Sequence, residues 1–277
     1  MDQYAVIGNP IAQSKSPLIH GMFAAATKQD LEYGKILGDR FAADVDAFRA
    51  RGGRGMNITA PFKIDAFNYA TERSERAQLA GAANCMKFDG QGEGGRAIAE
   101  NFDGVGLVRD VVHNLKTPLA GQRVLVMGAG GATRGALLPF LAEKPALLVI
   151  ANRDIDKARE LARIACANAP TQKTIAMTYA DLGSQAFDVV FNATSASLSG
   201  QCPPAPESVF QHCALAYEMV YGKGLTPFLK LAQSGGAAQL ADGVGMLAEQ
   251  AAEAFAWWRG VRPDTSAVIK AITIPLV

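Results

Sequence analysis

Short apolar runs alternate along this chain with stretches of helical period. Residues 4–8 read as a buried first strand, ended by Asn9-Pro10. Ser16-Pro17 has the form of an N-cap and first helical residue, opening a helix to about residue 28. Residues 32–37 and 55–58 follow as strands, the second stopped by Pro61, which opens a helix to about residue 70. Residues 82–88 and 96–99 suggest two strands around a glycine-rich turn over 90–95. A helix over 103–115 places Val105, Leu107, Val108, Val111, Val112 and Leu115 at apolar positions.

After Gly121 the texture changes. Residues 123–127 form a nearly continuous apolar run, as in a strand buried on both faces of a parallel sheet. A glycine-rich turn over 128–131 leads into a helix over 132–142. A second buried strand (146–151) and helix (155–167) come next, then strands over 173–178, 187–191 and 214–219. Strand–helix alternation of this kind marks βαβ units. The chain closes with helices over 243–259 and 265–272. The expected architecture is α/β. A substrate domain takes residues 1–101 and 243–277, the last helices returning to it. A Rossmann-like dinucleotide-binding domain with a parallel sheet takes residues 102–242.

Composition narrows the function. With 277 residues and 49% hydrophobic content, the chain can bury a core without disulfides or metals. The 27 Lys and Arg nearly cancel the 26 Asp and Glu, so the basic excess of a nucleic-acid binder is missing. Cys85, Cys166, Cys202 and Cys213 are scattered without metal-ligand spacing. No apolar run reaches membrane-span length, and the N-terminus has no signal-peptide pattern. A cytoplasmic enzyme working on a small molecule is expected, without metal, nucleic acid or membrane partner, as a monomer or homodimer.

The turn Gly128-Ala129-Gly130-Gly131-Ala132 sits between a strong strand and a helix, the context a dinucleotide pyrophosphate requires; alone it could be a turn without ligand. Beyond the next strand, Asn152-Arg153-Asp154 offers two signals. Arg153 suits the 2′-phosphate of NADP. Asp154 suits a ribose hydroxyl of NAD, or merely caps the helix from residue 155. In the first half, Ser14 and Ser16 can cap a helix or donate to a carboxylate. Asn57-Ile58-Thr59-Ala60-Pro61-Phe62-Lys63 places Asn, Thr and Lys in one strand-to-helix corner. Lys63 is there either a solvated charge or a proton-transfer group. Asn84 and Asp103 lie at element ends, where Asp103 can also cap. His20, His113 and His212 are isolated and take no role. Trp257 and Trp258 read as core and surface of the last long helix.

Nine strings occur in the order of one family. They are Gly8-Asn9-Pro10-Ile11 with Ser14-Lys15-Ser16-Pro17; Asn57-Ile58-Thr59 with Pro61-Phe62-Lys63; Gly81-Ala82-Ala83-Asn84; Asn101 with Asp103-Gly104; residues 128–135; Asn152-Arg153; Asn192-Ala193-Thr194-Ser195; Thr226-Pro227-Phe228; and residues 242–247 followed by Gln250. Over nearly its whole length the chain thus resembles the shikimate dehydrogenases. The resemblance implies NADP-dependent interconversion of shikimate and 3-dehydroshikimate. It implies that Ser14, Ser16 and Tyr221 hold the substrate carboxylate, and that Thr59, Lys63, Asn84, Asp103 and Gln250 contact the ring hydroxyls. On the same resemblance, Lys63 and Asp103 would form the polar pair at the reacting hydroxyl. The family pattern implies that Gly128, Ala129, Gly130, Gly131 and Ala132, with Asn152, Arg153, Asp154 and Lys157, line the cofactor. It likewise implies that Thr194, Met219 and Gly243 sit beside its nicotinamide half, and Glu75 falls where some members touch the cofactor.

Gln13, Cys85, Phe102 and Asp154 depart from the family pattern. Phe102 replaces a hydroxyl residue beside Asp103. Asp154 leaves room for a relative that uses NAD or accepts quinate. A non-catalytic dinucleotide-binding protein on the same fold should lack Lys63 or Asp103, and both are present.

Overall fold

The computed structural model describes residues 1–90 and 95–276, so 91–94 of the turn expected over 90–95 lie outside the described residues. In chain order the strands are β1 (Asp2–Gly8), β2 (Leu31–Leu37), β3 (Gly53–Ile58), β4 (Glu72–Arg73), β5 (Cys85–Asp89), β6 (Arg96–Glu100), β7 (Arg123–Met127), β8 (Leu147–Ala151), β9 (Thr174–Met177), β10 (Val189–Asn192), β11 (Leu215–Glu218) and β12 (Leu240–Asp242). The helices are α1 (Ser16–Thr27), α2 (Phe41–Ala50), α3 (Lys63–Tyr69), α4 (Glu75–Ala80), α5 (Asp103–Arg109), α6 (Gly131–Ala142), α7 (Ile155–Asn168), α8 (Pro227–Ser234), α9 (Val244–Arg259) and α10 (Ser266–Ile272). They fall into two compact units, Met1–Gly106 with Ala248–Ile272, and Leu107–Leu247 with Thr273–Val277.

The first unit holds a mixed sheet in the order β2-β1-β3-β5-β6-β4. β1 is parallel to β2 and β3, while β5 runs antiparallel to β3 and β6. Ala5, Ile7, Met56, Ile58, Met86, Ala97 and Ala99 form its core with Val45, Phe48 and Phe62. Edge strand β2 is half-buried at Leu31, Tyr33 and Ile36 and exposed elsewhere, whereas β1 is continuously buried from Tyr4 to Gly8. Helix α2, which the apolar pattern did not single out, buries Phe41, Val45 and Phe48 at helical spacing. Trp258 is buried and donates from Nε1 to the Met86 carbonyl at 3.0 Å; Trp257 is half-buried.

The second unit is a wholly parallel sheet in the order β12-β11-β10-β7-β8-β9. β7 and β8 are the two most apolar strands, and Leu125, Met127, Val149 and Ala151 join Phe187, Phe210 and Phe228 in the core. The helix expected over 103–115 is α-helical only to Arg109 and continues as a π turn over Asp110–Asn114. Ser16 is not an N-cap: Lys15 holds that position with no side-chain cap, and the Ser14 hydroxyl accepts from Ser16 N–H at 3.3 Å.

Candidate active site

In the first unit, chain direction gathers the polar residues. Parallel strands β1, β3 and β6 end on one edge of the sheet, and antiparallel β5 begins there. Ser14 and Ser16 follow β1, Thr59 and Lys63 follow β3, Asn84 precedes β5, and Asp103 follows β6. At this edge Lys63 Nζ donates to Asp103 Oδ2 at 2.6 Å, an ion pair with side chains 37% and 20% exposed.

Asn84 is the hub of the cluster. Its Nδ2 donates to Asp103 Oδ1 at 2.7 Å and to Gln250 Oε1 at 3.2 Å, while its Oδ1 accepts from Phe102 N–H at 2.8 Å. The Asp103 carboxylate therefore faces Lys63 and Asn84 instead of capping α5. Helix α9 delivers Gln250 because α5 approaches it at Gly106, where a Cβ would lie 2.6 Å from the Gln250 nitrogen. Phe102 turns away from the site into a cluster with Tyr4, Cys85 and Trp258, its ring edge-on to Trp257 at 5.8 Å. The departures at Cys85 and Phe102 thus lie together in the core.

Ser14 Oγ and Ser16 Oγ lie 3.2 Å apart, and the Tyr33 hydroxyl beside Ser16 donates to Asn57 Oδ1 at 2.6 Å. His20 stacks on Tyr33 with ring centroids 4.2 Å apart. Neither its ring nitrogens nor Asn57 Nδ2 meets hydrogen-bond geometry among the described residues, although Asn57 lies beside the ring. Burial drives the His20 pKa down to about 3, so it is a neutral packing group. Burial likewise pushes the Tyr33 hydroxyl and Cys85 thiol up. Glu75 is exposed in the first turn of α4, where Ser74 supplies the N-cap; it takes no part in the Lys63 cluster.

In the second unit the residues after β7, β8, β10 and β11 share the carboxyl edge of the sheet. Strand order reverses between β7 and β10, the place where such sheets bind ligands. Gly128 adopts φ +104°, and a Cβ there would press on Thr194 Cγ2 at 3.0 Å. Gly130 and Gly131 have open space in front of them, and α6 presents its N-terminus. Ala129, Gly130 and Gly131 line a cavity of about 450 Å³ with Arg134, Asp156, Lys157 and Glu160. Ala132 is exposed beside it.

Asp154 is the N-cap of α7: its side chain accepts from Asp156 N–H at 3.1 Å and lies 3.9 Å from Lys157 Nζ. Asn152 Nδ2 donates to the Asp154 carbonyl at 2.9 Å, holding the turn. Arg153 is exposed and forms no ion pair among the described residues, so its guanidinium is available to a phosphate. Gly243 packs on the Met219 carbonyl, 2.3 Å from where a Cβ would stand. Tyr221, after β11, is 44% exposed. Sequence reasoning missed Glu218, buried at the end of β11. Its one signal is an acid closing an otherwise apolar strand.

A wholly parallel sheet with a glycine turn at its switch point, and in the other unit a Lys63–Asp103 ion pair, are features in keeping with the class to which the chain belongs, the nicotinamide-dependent oxidoreductases. The descriptions "Shikimate dehydrogenase substrate binding domain", "Shikimate / quinate 5-dehydrogenase" and "Shikimate 5'-dehydrogenase C-terminal domain" match residues 6–86, 110–199 and 243–273. The chain belongs to the shikimate dehydrogenase family. It is 53% identical to the shikimate dehydrogenase (NADP(+)) of Aromatoleum aromaticum, covering 98% of this chain and 97% of that one. It is 51% identical to that of Dechloromonas aromatica, covering 100% and 99%. Among solved structures, an Ael1 enzyme from Pseudomonas putida is 60% identical with TM-score 0.94 over 100% of both chains. The shikimate 5-dehydrogenase of Thermus thermophilus, in complex with NADP(H) and shikimate, is 28% identical with TM-score 0.82 over 98% of both. No helix among the described residues is long and apolar enough to cross a membrane.

Proposed function

We propose that this chain reduces 3-dehydroshikimate to shikimate, reversibly, with NADPH. The observation that carries this reading is the Lys63–Asp103 pair, held at 2.6 Å and braced by Asn84. The names of the relatives support NADP as the cofactor. The residues fit that group on their own account: an unobstructed glycine turn, a helix N-terminus and an uncommitted Arg153.

The nicotinamide, when bound, exchanges hydride with the substrate carbon. Lys63 handles the accompanying proton at Nζ, giving it to the carbonyl oxygen in reduction and taking it from the hydroxyl in oxidation. Asp103 orients that ammonium and accepts from the same hydroxyl. Asn84, Gln250 and Thr59 bind the remaining ring hydroxyls. Ser14 and Ser16 donate to the carboxylate. Residues 128–132 take the pyrophosphate and residues 152–157 the 2′-phosphate end, with Arg153 as the reader and Lys157 beside it. Thr194, Met219 and Gly243 take the nicotinamide half. The capping role of Asp154 supports NADP over NAD, because its carboxylate is already committed. Four unpaired cysteines suit a cytoplasmic setting.

The test is absorbance at the reduced-nicotinamide band with shikimate or quinate, each with NADP⁺ or NAD⁺. Turnover mainly with shikimate and NADP⁺ is expected. Comparable turnover with quinate or NAD⁺ would move the chain to a dual-specificity role, and no turnover in any mixture would refute the reading.

A further inference from the structure

Glu218 is wholly buried, and no cation pairs with it among the described residues. A buried carboxylate without a cation is costly unless hydrogen bonds replace its lost water. Here four groups do so. Asn192 Nδ2 donates at 3.0 and 3.2 Å, Thr226 Oγ1 at 3.1 Å and Val220 N–H at 3.3 Å, with the Ser197 hydroxyl at 2.5 Å. Burial pushes the carboxyl above its ordinary value, and these donors pull against it. They come from the end of β10, the turn after it, the N-cap of α8 and the loop after β11.

The contacts continue toward the glycine turn. Asn192 Oδ1 accepts from Thr194 N–H at 3.1 Å and from Thr194 Oγ1 at 2.7 Å. Thr194 in turn leans on Gly128. The Asn192 carbonyl accepts from Met219 N–H at 3.0 Å, and the Met219 carbonyl abuts Gly243. One carboxylate therefore orients the Asn192 amide, and that residue anchors both Thr194 and Met219. An ionised carboxylate only accepts, which suits amide and backbone N–H donors; a glutamine here would turn an NH₂ group toward one of them.

We propose that Glu218 is a positioning residue for the nicotinamide half of the cofactor, acting through Asn192 on Thr194 and Met219. This rests on the assignment of those residues under Proposed function. The adenine half, at Arg153, lies outside the network.

The experiment uses the full chain carrying Glu218→Gln and titrates NADPH by fluorescence, with adenosine 2′,5′-bisphosphate as competitor to report the adenine half alone. NADPH affinity should fall at least about tenfold, and kcat with it. Adenosine 2′,5′-bisphosphate should bind within about twofold of the parent, well under the tenfold loss expected for NADPH. Glu218→Asp, which keeps the charge, should recover part of the loss. A parallel loss of both ligands would make Glu218 general scaffolding and overturn the proposal, as would no loss of either. If Glu218→Gln does not fold, Ser197→Ala removes a single donor; a selective loss of about threefold for NADPH supports the proposal, and an unselective or absent loss overturns it. Failure of the catalytic reading shows separately, as no turnover of shikimate with NADP⁺ by the parent chain, and leaves both titrations readable.

Discussion

Acid should weaken this protein through one buried ring. His20 is 1% exposed and stacked on Tyr33, with Phe23, Phe255 and Trp258 at centroid distances of 5.4 to 6.2 Å. Burial takes its pKa from 6.5 down to about 3. The unfolded chain then binds a proton that the folded chain refuses. Stability present above pH 6.5 is lost as pH falls toward 3. Each pH unit in that window is worth about 1.4 kcal/mol. About 3 kcal/mol should be gone at pH 4.5 and roughly 5 kcal/mol at the bottom of the window. Carboxylates such as Asp2 and Asp181, held below their usual range, add their own acid sensitivity, so the comparison must be with a variant. His20→Phe keeps an aromatic ring and removes the titration. The assay is urea unfolding followed by fluorescence of Trp257 and Trp258, both of which lie in the same unit as His20. Between pH 7.5 and 4.5 the parent should lose about 3 kcal/mol more than the variant. Parallel losses in the two proteins would refute the reasoning.

Four substitutions probe the site itself. Lys63→Ala should cut turnover by about two orders of magnitude or more, with NADPH binding unchanged by fluorescence; near-normal kcat would remove Lys63 from the mechanism. Arg153→Ala should raise the KM for NADP⁺ about tenfold more than that for NAD⁺, and equal effects would show that Arg153 does not read the 2′-phosphate. Asp154→Ala should cost about 1 kcal/mol of stability in thermal or urea unfolding while leaving the ratio of NADP⁺ to NAD⁺ activity in place; a shifted ratio would make Asp154 a selector. Gly106→Ala sets a Cβ 2.6 Å from the Gln250 nitrogen, so it should raise the KM for shikimate without changing NADPH affinity. An unaltered shikimate KM would count against Gln250 as a substrate ligand.

The strands most legible in the sequence are those buried on both faces. For β7 the expected run 123–127 coincides with the observed strand, and β8 differs by one residue at its start. Continuous apolar runs between glycine-bearing turns leave little else for the chain to do. Helices α2, α4 and α8 and strands β4 and β12 were harder to read. They are short, or rich in alanine and charge, and they form because a neighbouring sheet offers burial for a few side chains. The π turn at Asp110 and the cap at Lys15 depend on backbone geometry that residue type does not dictate.

By itself, the sequence determined the α/β class, the glycine turn and the residue types able to carry out the chemistry, because these depend on local periodicity and on functional groups close together in the chain. Only the tertiary structure decided what those groups do. It paired Lys63 with Asp103 across 40 residues and tied Asn84 to Gln250 across 166. It turned Phe102 into the core, made Asp154 a cap and set Glu218 among its donors. A hydroxyl, an amide or a carboxylate carries the same chemistry wherever it stands; its role depends on which partners the folded backbone brings within hydrogen-bond distance.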